Sequence, residues 1–202
     1  MLYWHRMTVV GIDEVGRGAL AGPVCIGIFI INEEHTAAIR DNAPCAITDS
    51  KQVTEKRRDA LFAYFLKCKK EKLCDFVILS MTAEKIDRYG ISVCIKEMIE
   101  KGLGKLALDL KTTHILLDGG LKAPVEYTQQ TIIKGDVTEF AISCASIVAK
   151  VYRDEYMKKQ SELYPLYGFE NHVGYGTLAH RKAIQKVGPC VLHRRTFCKN
   201  IL

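Results

Sequence analysis

No apolar run in this 202-residue chain reaches the length of a bilayer span, and no two of its eight cysteines stand in a C-x-x-C pair. The first absence leaves no membrane helix to expect. The second, with no histidine at zinc-knuckle distance from a cysteine pair, argues against a zinc site. Cys25, Cys94 and Cys144 lie in apolar stretches, where a free thiol packs as a small hydrophobe. The cysteines are therefore read as reduced thiols, and the protein as cytoplasmic. The opening Met1-Leu2-Tyr3-Trp4-His5-Arg6-Met7 lacks the cleavage site of a secretory signal and reads as a short tail, with Met7 an alternative start. Acidic residues are missing altogether from Asn171 to Leu202. Six basic ones stand there: Arg181, Lys182, Lys186, Arg194, Arg195 and Lys199. The preceding 170 residues balance, 23 basic against 23 acidic, so the whole net charge of +6 sits at this end. Such a face suits a polyanion; a solvated tail without a partner is the alternative.

What is present is ordinary globular material, 48% hydrophobic and 26% charged. The length suits one domain, residues 1–202, with a basic helical segment over about 171–202. Apolar runs at 9–13 and 24–31 are joined by a glycine-rich turn and predict an opening hairpin or meander. Residues 32–53 are polar and irregular. Helices are expected over 54–70, with Thr54 as N-cap, from the opening Thr82-Ala83-Glu84-Lys85-Ile86 to its end at Gly90, and over 92–101. Strands are expected over 76–81, 114–117 and 131–133. One long helix is expected over 137–160, and a short basic helix over 177–186 closed by Gly188-Pro189. Strands first and then strands alternating with helices predict an α/β fold, a mixed sheet with helices on both faces and a small C-terminal helical part. The small-residue run Ala141-Ile142-Ser143-Cys144-Ala145-Ser146 permits close approach of the long helix to that sheet. No long apolar stripe is left over, so a monomer is expected.

The chemistry concentrates in Gly11-Ile12-Asp13-Glu14-Val15-Gly16-Arg17-Gly18. Two adjacent carboxylates at the end of a buried strand repel each other, by about 4 kcal/mol at 4 Å and an effective dielectric of 20. A cation or a proton must neutralise such a pair. Asp118 and Asp136 stand after two later strands, and ligands of open α/β sheets gather outside strand ends. If the ends converge, Asp13, Glu14, Asp118 and Asp136 share one site. An all-oxygen donor set selects Mg²⁺ or Mn²⁺, and two such ions support in-line phosphoryl displacement. Each acid taken alone also fits a turn or a helix cap.

Gly16-Arg17-Gly18 is a candidate backbone nest for an anion or a sugar hydroxyl. Lys51, in Asp49-Ser50-Lys51, and Lys134 could each meet a phosphate or simply be solvated. Tyr175, between Gly174 and Gly176, could stack on a sugar or base, or merely pack. Thr177 at the mouth of the basic helix could bond a phosphate. Asp154, four residues from both Lys150 and Lys158, reads as an ion-paired helix position rather than a fifth metal ligand.

These motifs, in this order, resemble the type 2 ribonucleases H (ribonuclease HII). The likeness runs through the first glycine block, Asp49-Ser50-Lys51, Ile86-Asp87-Arg88-Tyr89-Gly90-Ile91 and Leu117-Asp118-Gly119. It continues through Lys134-Gly135-Asp136, the stretch Ala145 to Asp154 and Tyr167-Gly168-Phe169, and ends with Gly174 to His180 and His193-Arg194-Arg195-Thr196-Phe197. The resemblance implies a ribonuclease H-like fold. It also implies cleavage 5′ to ribonucleotides in RNA–DNA hybrids or at single ribonucleotides in duplex DNA. By position, Asp13, Glu14, Asp118 and Asp136 match the family's metal-binding acids. Gly16, Arg17 and Gly18 match the motif reading the ribose 2′-hydroxyl, and Tyr175 matches a tyrosine that stacks on the following deoxyribose. The residues alone leave two other readings: a junction-resolvase-like nuclease of the same superfold, and a non-catalytic duplex-binding module.

Overall fold

The computed structural model describes residues 7–106 and 108–201; the tail before Met7 lies outside them. Strand β1 (Thr8–Val15) pairs antiparallel with β2 (Val24–Asn32). After helices α1 (Glu33–Asp41) and α2 (Glu55–Lys70), β3 (Cys74–Met81) adds antiparallel to β2. Beyond α3 (Ala83–Tyr89) and α4 (Ile91–Gly104), β4 (Thr113–Asp118) and β5 (Thr128–Ile132) join the other side of β1 in parallel. The sheet order is β3-β2-β1-β4-β5, the mixed sheet that the pattern of strands and helices predicts.

The period-two alternation of the strands feeds two cores. Ile26 and Ile28 of β2, Val10 and Ile12 of β1, and Ile115 and Leu117 of β4 face α4, where Ile95, Met98, Ile99 and Leu103 form the apolar stripe. Phe29 and Ile31 face the other layer, α2 and α6 (Phe140–Leu163), through Leu61, Phe65, Cys144, Ile147 and Val148. Each such buried side chain contributes about 1.5–3 kcal/mol of hydrophobic stabilisation. Helix α6 lies directly on the strands because the facing positions are glycine. A Cβ on Gly11 would fall on the backbone of Ala141, and one on Gly27 on the carbonyl of Ala145. The small residues of α6 and the glycines of β1 and β2 thus solve one steric problem together. Among the described residues no helix is long and apolar enough to cross a membrane, and all eight cysteines are free thiols.

Three elements differ from the sequence pattern. Residues 33–41 form α1, with Glu33 and Glu34 in its first turn and Arg40 in its last, charges that complement the helix dipole. Only Ile39 is buried, so no stripe announces it. Strand β5 starts at Thr128 rather than 131; it is a half-exposed sheet edge built of Thr-Gln-Gln-Thr-Ile. The expected helix over 137–160 is two helices. Glu139, extended at φ −109° and ψ 120°, separates α5 (Gly135–Thr138) from α6. Thr54 precedes α2 without a side-chain cap bond, whereas the Thr82 hydroxyl accepts the Lys85 N–H at the start of α3. The chain ends in a turn over 165–167, a short α7 (Phe169–His172) and the basic α8 (Leu178–Val187). This part packs on Ala21 and Met157 through Tyr167 and Phe169.

Candidate active site

Strands β1 and β4 run parallel and their pairing ends with Ile12 opposite Leu117, so the next residue of each strand, Asp13 and Asp118, stands side by side at the carboxyl end of that pair, still held by β2 and β5 on the outer sides. Asp13 is buried, and its carboxylate accepts the Glu14 N–H at 2.7 Å and a hydrogen bond from Ser146 of α6. Burial pushes its carboxyl up to about 7, against the Ser146 bond that lowers it; the charges of Glu14 and Asp118 push it further up. Lost solvation thus outweighs the repulsion between neighbours that the sequence brings to mind first. Glu14 is raised too, chiefly by burial, and Arg17 draws it back through an ion pair at 3.2 Å.

Asp136 reaches this edge by a different route. Lys134 takes a left-handed conformation, φ 58°, and turns the chain so that the N–H groups of Gly135 and Asp136 both point at Asp118 Oδ1, at 2.7 and 3.4 Å. The buried Asp136 carboxylate then meets Lys51 Nζ at 3.1 Å. Burial alone would lower the Lys51 ammonium, but Asp136, Asp49 and Asp13 hold it above its ordinary value. The Lys51 loop is itself fixed: Asp49 Oδ1 accepts the Lys51 N–H at 2.8 Å, and Ser50 Oγ bonds Ser146 Oγ at 2.8 Å. Asp13, Glu14 and Asp118 therefore interact directly, and Asp136 joins them through Asp118 and Lys51.

Among the described residues no three acid, imidazole or thiol groups close into a ready metal cage. The physical reason is visible: like charges spread apart, and Arg17 and Lys51 lie against Glu14 and Asp136. The donor set nonetheless fits hard divalent cations. It is all oxygen, it holds a carboxyl whose burial calls for a positive charge, and two side-chain cations stand where such charge is needed.

Beside the acids, Gly16 adopts φ +81° with Arg153 packed where a side chain would stand, so only glycine fits there. Arg17 and Gly18 are exposed. The Gly16 N–H donates to the Tyr175 hydroxyl at 3.2 Å, so the glycine motif and the tyrosine, 159 residues apart, form one surface. The Tyr175 ring lies 5.2 Å from the Arg153 guanidinium and 6.0 Å from Lys150 Nζ. Exposed Thr177 caps α8 by accepting the His180 N–H at 3.3 Å. Lys134 is exposed at its turn. Asp154 is ion-paired to Lys150 at 2.9 Å and Arg58 at 3.5 Å, while Lys158 pairs with Glu55 instead.

Several supporting groups carry no role in the sequence reading. Ser146 looks like one more small residue of α6 until its hydroxyl is found on Asp13. Arg153 is fully buried, and its guanidinium donates to the carbonyls of Pro23, Ala21 and Val173 at 2.9, 3.1 and 2.9 Å. His180 and His193 form a buried relay: His180 Nδ1–H donates to the Tyr175 carbonyl at 2.9 Å, and the two Nε2 atoms lie 3.1 Å apart. Because His193 Nδ1 accepts the Cys190 N–H at 3.0 Å, its Nε2 carries the proton donated to His180. Burial keeps both rings neutral and pulls each down to about 4. In the sequence these are basic residues of a basic tail, and nothing local separates a buried one from a solvated one.

The ribonuclease HII family model matches residues 10–200 of this chain. A ribonuclease HII of Clostridium perfringens strain 13 is 40% identical over 194 residues, covering 96% of this chain and 68% of that protein. Among solved structures, the ribonuclease H2 of Pyrococcus horikoshii OT3 superposes with a TM-score of 0.77 at 26% identity, covering 96% of this chain and 97% of that one. Bst-RNase HIII in complex with Mn²⁺ shares the fold, with a TM-score of 0.65 at 17% identity over 95% of this chain and 65% of its own.

Proposed function

This chain belongs to the ribonuclease HII family and is a ribonuclease H endonuclease acting on nucleic acid; from that premise we propose that it hydrolyses the phosphodiester 5′ to ribonucleotides, in RNA–DNA hybrids and at single ribonucleotides within duplex DNA. The observation that carries this reading is the hydrogen bond from Gly16 N–H to the Tyr175 hydroxyl. It joins a backbone surface suited to a sugar hydroxyl with an aromatic ring suited to a sugar face, next to buried acids. A 2′-hydroxyl is the group by which a protein tells RNA from DNA at a given nucleotide.

Asp13, Glu14, Asp118 and Asp136 are the proposed holders of two divalent ions, Mg²⁺ or Mn²⁺; a Mn²⁺ complex is known for Bst-RNase HIII. Bound there, the ions supply activation of a water and neutralisation of the departing 3′-oxygen. The chain's own residues do the rest. Ser146 and the Glu14 N–H orient the Asp13 carboxylate, and the Gly135 and Asp136 N–H groups orient Asp118. Lys51 balances Asp136 and is free to turn toward a phosphate, since its side chain is 76% exposed. Gly16, Arg17 and Gly18 meet the ribose, Tyr175 the following sugar, and Thr177 a phosphate. The exposed basic residues beyond 171 hold the duplex through its backbone, which positions without reading sequence. We read the protein as a single-domain cytoplasmic monomer, in keeping with its free, mostly buried thiols.

The test is incubation of the purified protein with duplex DNA carrying one ribonucleotide, with and without Mg²⁺ or Mn²⁺, with the products mapped to the nucleotide. One metal-dependent nick 5′ to the ribonucleotide, leaving a 5′-phosphate, is expected, and no cut in the all-DNA duplex. Cleavage of ribonucleotide-free branched DNA in its place would establish the resolvase reading; binding without turnover in either metal would establish the passive module.

A further inference from the structure

Arg194 is fully buried, yet among the described residues it forms no ion pair within 4 Å, and its Nη2 has no hydrogen-bond partner. Burying a guanidinium without a carboxylate is costly, and here its bonds go to one short loop. Nη1 donates to the Arg17 carbonyl at 2.8 Å, Nε to the Gly22 carbonyl at 3.1 Å, and its backbone N–H to the Leu20 carbonyl at 2.8 Å. One residue thus ties three carbonyls of the loop that carries the glycine motif.

Arg194 is in turn braced from outside. Asp87, on α3, accepts the N–H groups of Arg195 at 2.7 Å and Thr196 at 3.0 Å, and the Thr196 hydroxyl at 2.5 Å. The carboxylate of a distant helix therefore fixes the two residues that follow Arg194.

The consequence lies in the Arg17–Gly18 peptide. A trans peptide is planar, with its C=O and N–H pointing in opposite directions. Drawing the Arg17 carbonyl inward onto Arg194 therefore aims the Gly18 N–H outward. Gly18 is exposed, its N–H has no acceptor among the described residues, and a side chain there would meet nothing within 4 Å. An open donor on a fixed peptide plane suits a sugar hydroxyl.

We propose that Arg194, braced by Asp87, is the positioning residue for ribose discrimination: it sets the Arg17–Gly18 peptide plane so that the Gly18 N–H faces the 2′-hydroxyl. This rests on the ribonucleotide-directed reading above. Specificity then depends on a side chain that never touches the nucleic acid.

The test is fluorescence anisotropy with Ca²⁺ in place of Mg²⁺, on two duplexes identical except for one ribonucleotide. The readout is the ratio of the two Kd values, which a mere loss of folded protein does not change. For Arg194→Met and for Asp87→Ala the ratio should fall at least fivefold toward one, while affinity for the all-DNA duplex changes less than twofold. Arg194→Lys, which can reach one carbonyl but not two, should fall between wild type and Arg194→Met. Should Arg194→Met fail to melt cooperatively, Asp87→Ala decides, because its half-exposed side chain leaves the core intact. A discriminating wild type whose folded variants keep its ratio overturns the proposal alone. A wild type that binds both duplexes equally removes the ribose-reading premise and the proposal with it.

Discussion

Asp13 combines two demands that conflict in the absence of a cation: it is 5% exposed, and it is an acid. Its carboxyl, raised from 3.8 to about 7 chiefly by burial, keeps a proton in the folded state that the unfolded chain has already released between those values. Folding stability of the metal-free protein therefore falls as pH rises from about 4 to 7, by an amount on the order of 4 kcal/mol. Asp13→Asn should abolish cleavage and yet stabilise the metal-free protein by about 1–4 kcal/mol at pH 8, a gain that vanishes near pH 4. Urea unfolding in EDTA at several pH values checks this. Wild-type cleavage by a folded Asp13→Asn protein, or a pH-independent difference in stability, would refute it. At this scale the sequence was partly legible. Each of the four acids alone fits a turn or a cap, and only their shared position after strands and beside glycines marks them as a candidate site; the structure adds the direct contact of Asp118 with the turn that carries Asp136. Ser146, Arg153, Arg194 and the His180–His193 pair are not marked even so, because their work is defined by partners more than a hundred residues away or by burial that local composition does not reveal.

Elements were legible wherever an apolar stripe or alternation reached the core, as in β1, β2, α2 and α4. They were hidden where burial is slight: α1 buries Ile39 alone, and β5 is a polar edge. The break at Glu139 has no proline or glycine to mark it; the turn that presents Asp136 is made by a left-handed lysine. The approach of α6 to the sheet, by contrast, was legible from its small residues, and the structure shows the matching half, Gly11 and Gly27. Gly11→Ala would set a methyl against helix backbone, which cannot swing aside as a side chain can. It should cost about 1–3 kcal/mol by overpacking and displace Asp13 two residues later. Gly104→Ala, at the end of α4 with open space around it, should be neutral or stabilising by up to about 1 kcal/mol. Urea midpoints for the two variants check the contrast; similar values would mean that α6 yields to the extra methyl.

For the whole molecule the decisive feature is where its charge lies. The acid-free C-terminal stretch carries six basic residues, but they do not form one equivalent face. Arg194 turns inward to hold the glycine loop, whereas Arg181, Lys182, Lys186, Arg195 and Lys199 remain exposed. Sequence composition alone could not make that division, because an arginine spent on backbone carbonyls and one offered to solvent count the same toward net charge. Under the proposed function the exposed set attracts phosphates without regard to sequence, and since each phosphate neutralised releases counterions, affinity should fall with salt at a slope of about −0.9 per contact in logarithmic terms. Lys182 and Lys186, on α8, are four residues apart and so share one helix face. Replacing both with Gln should weaken binding to any duplex, with or without a ribonucleotide, and flatten the salt slope by about 1–2 units. The measurement is Kd against KCl concentration for wild type and the double variant. An unchanged slope would show that this face lies away from the duplex, and that the charge asymmetry of the chain serves solvation instead.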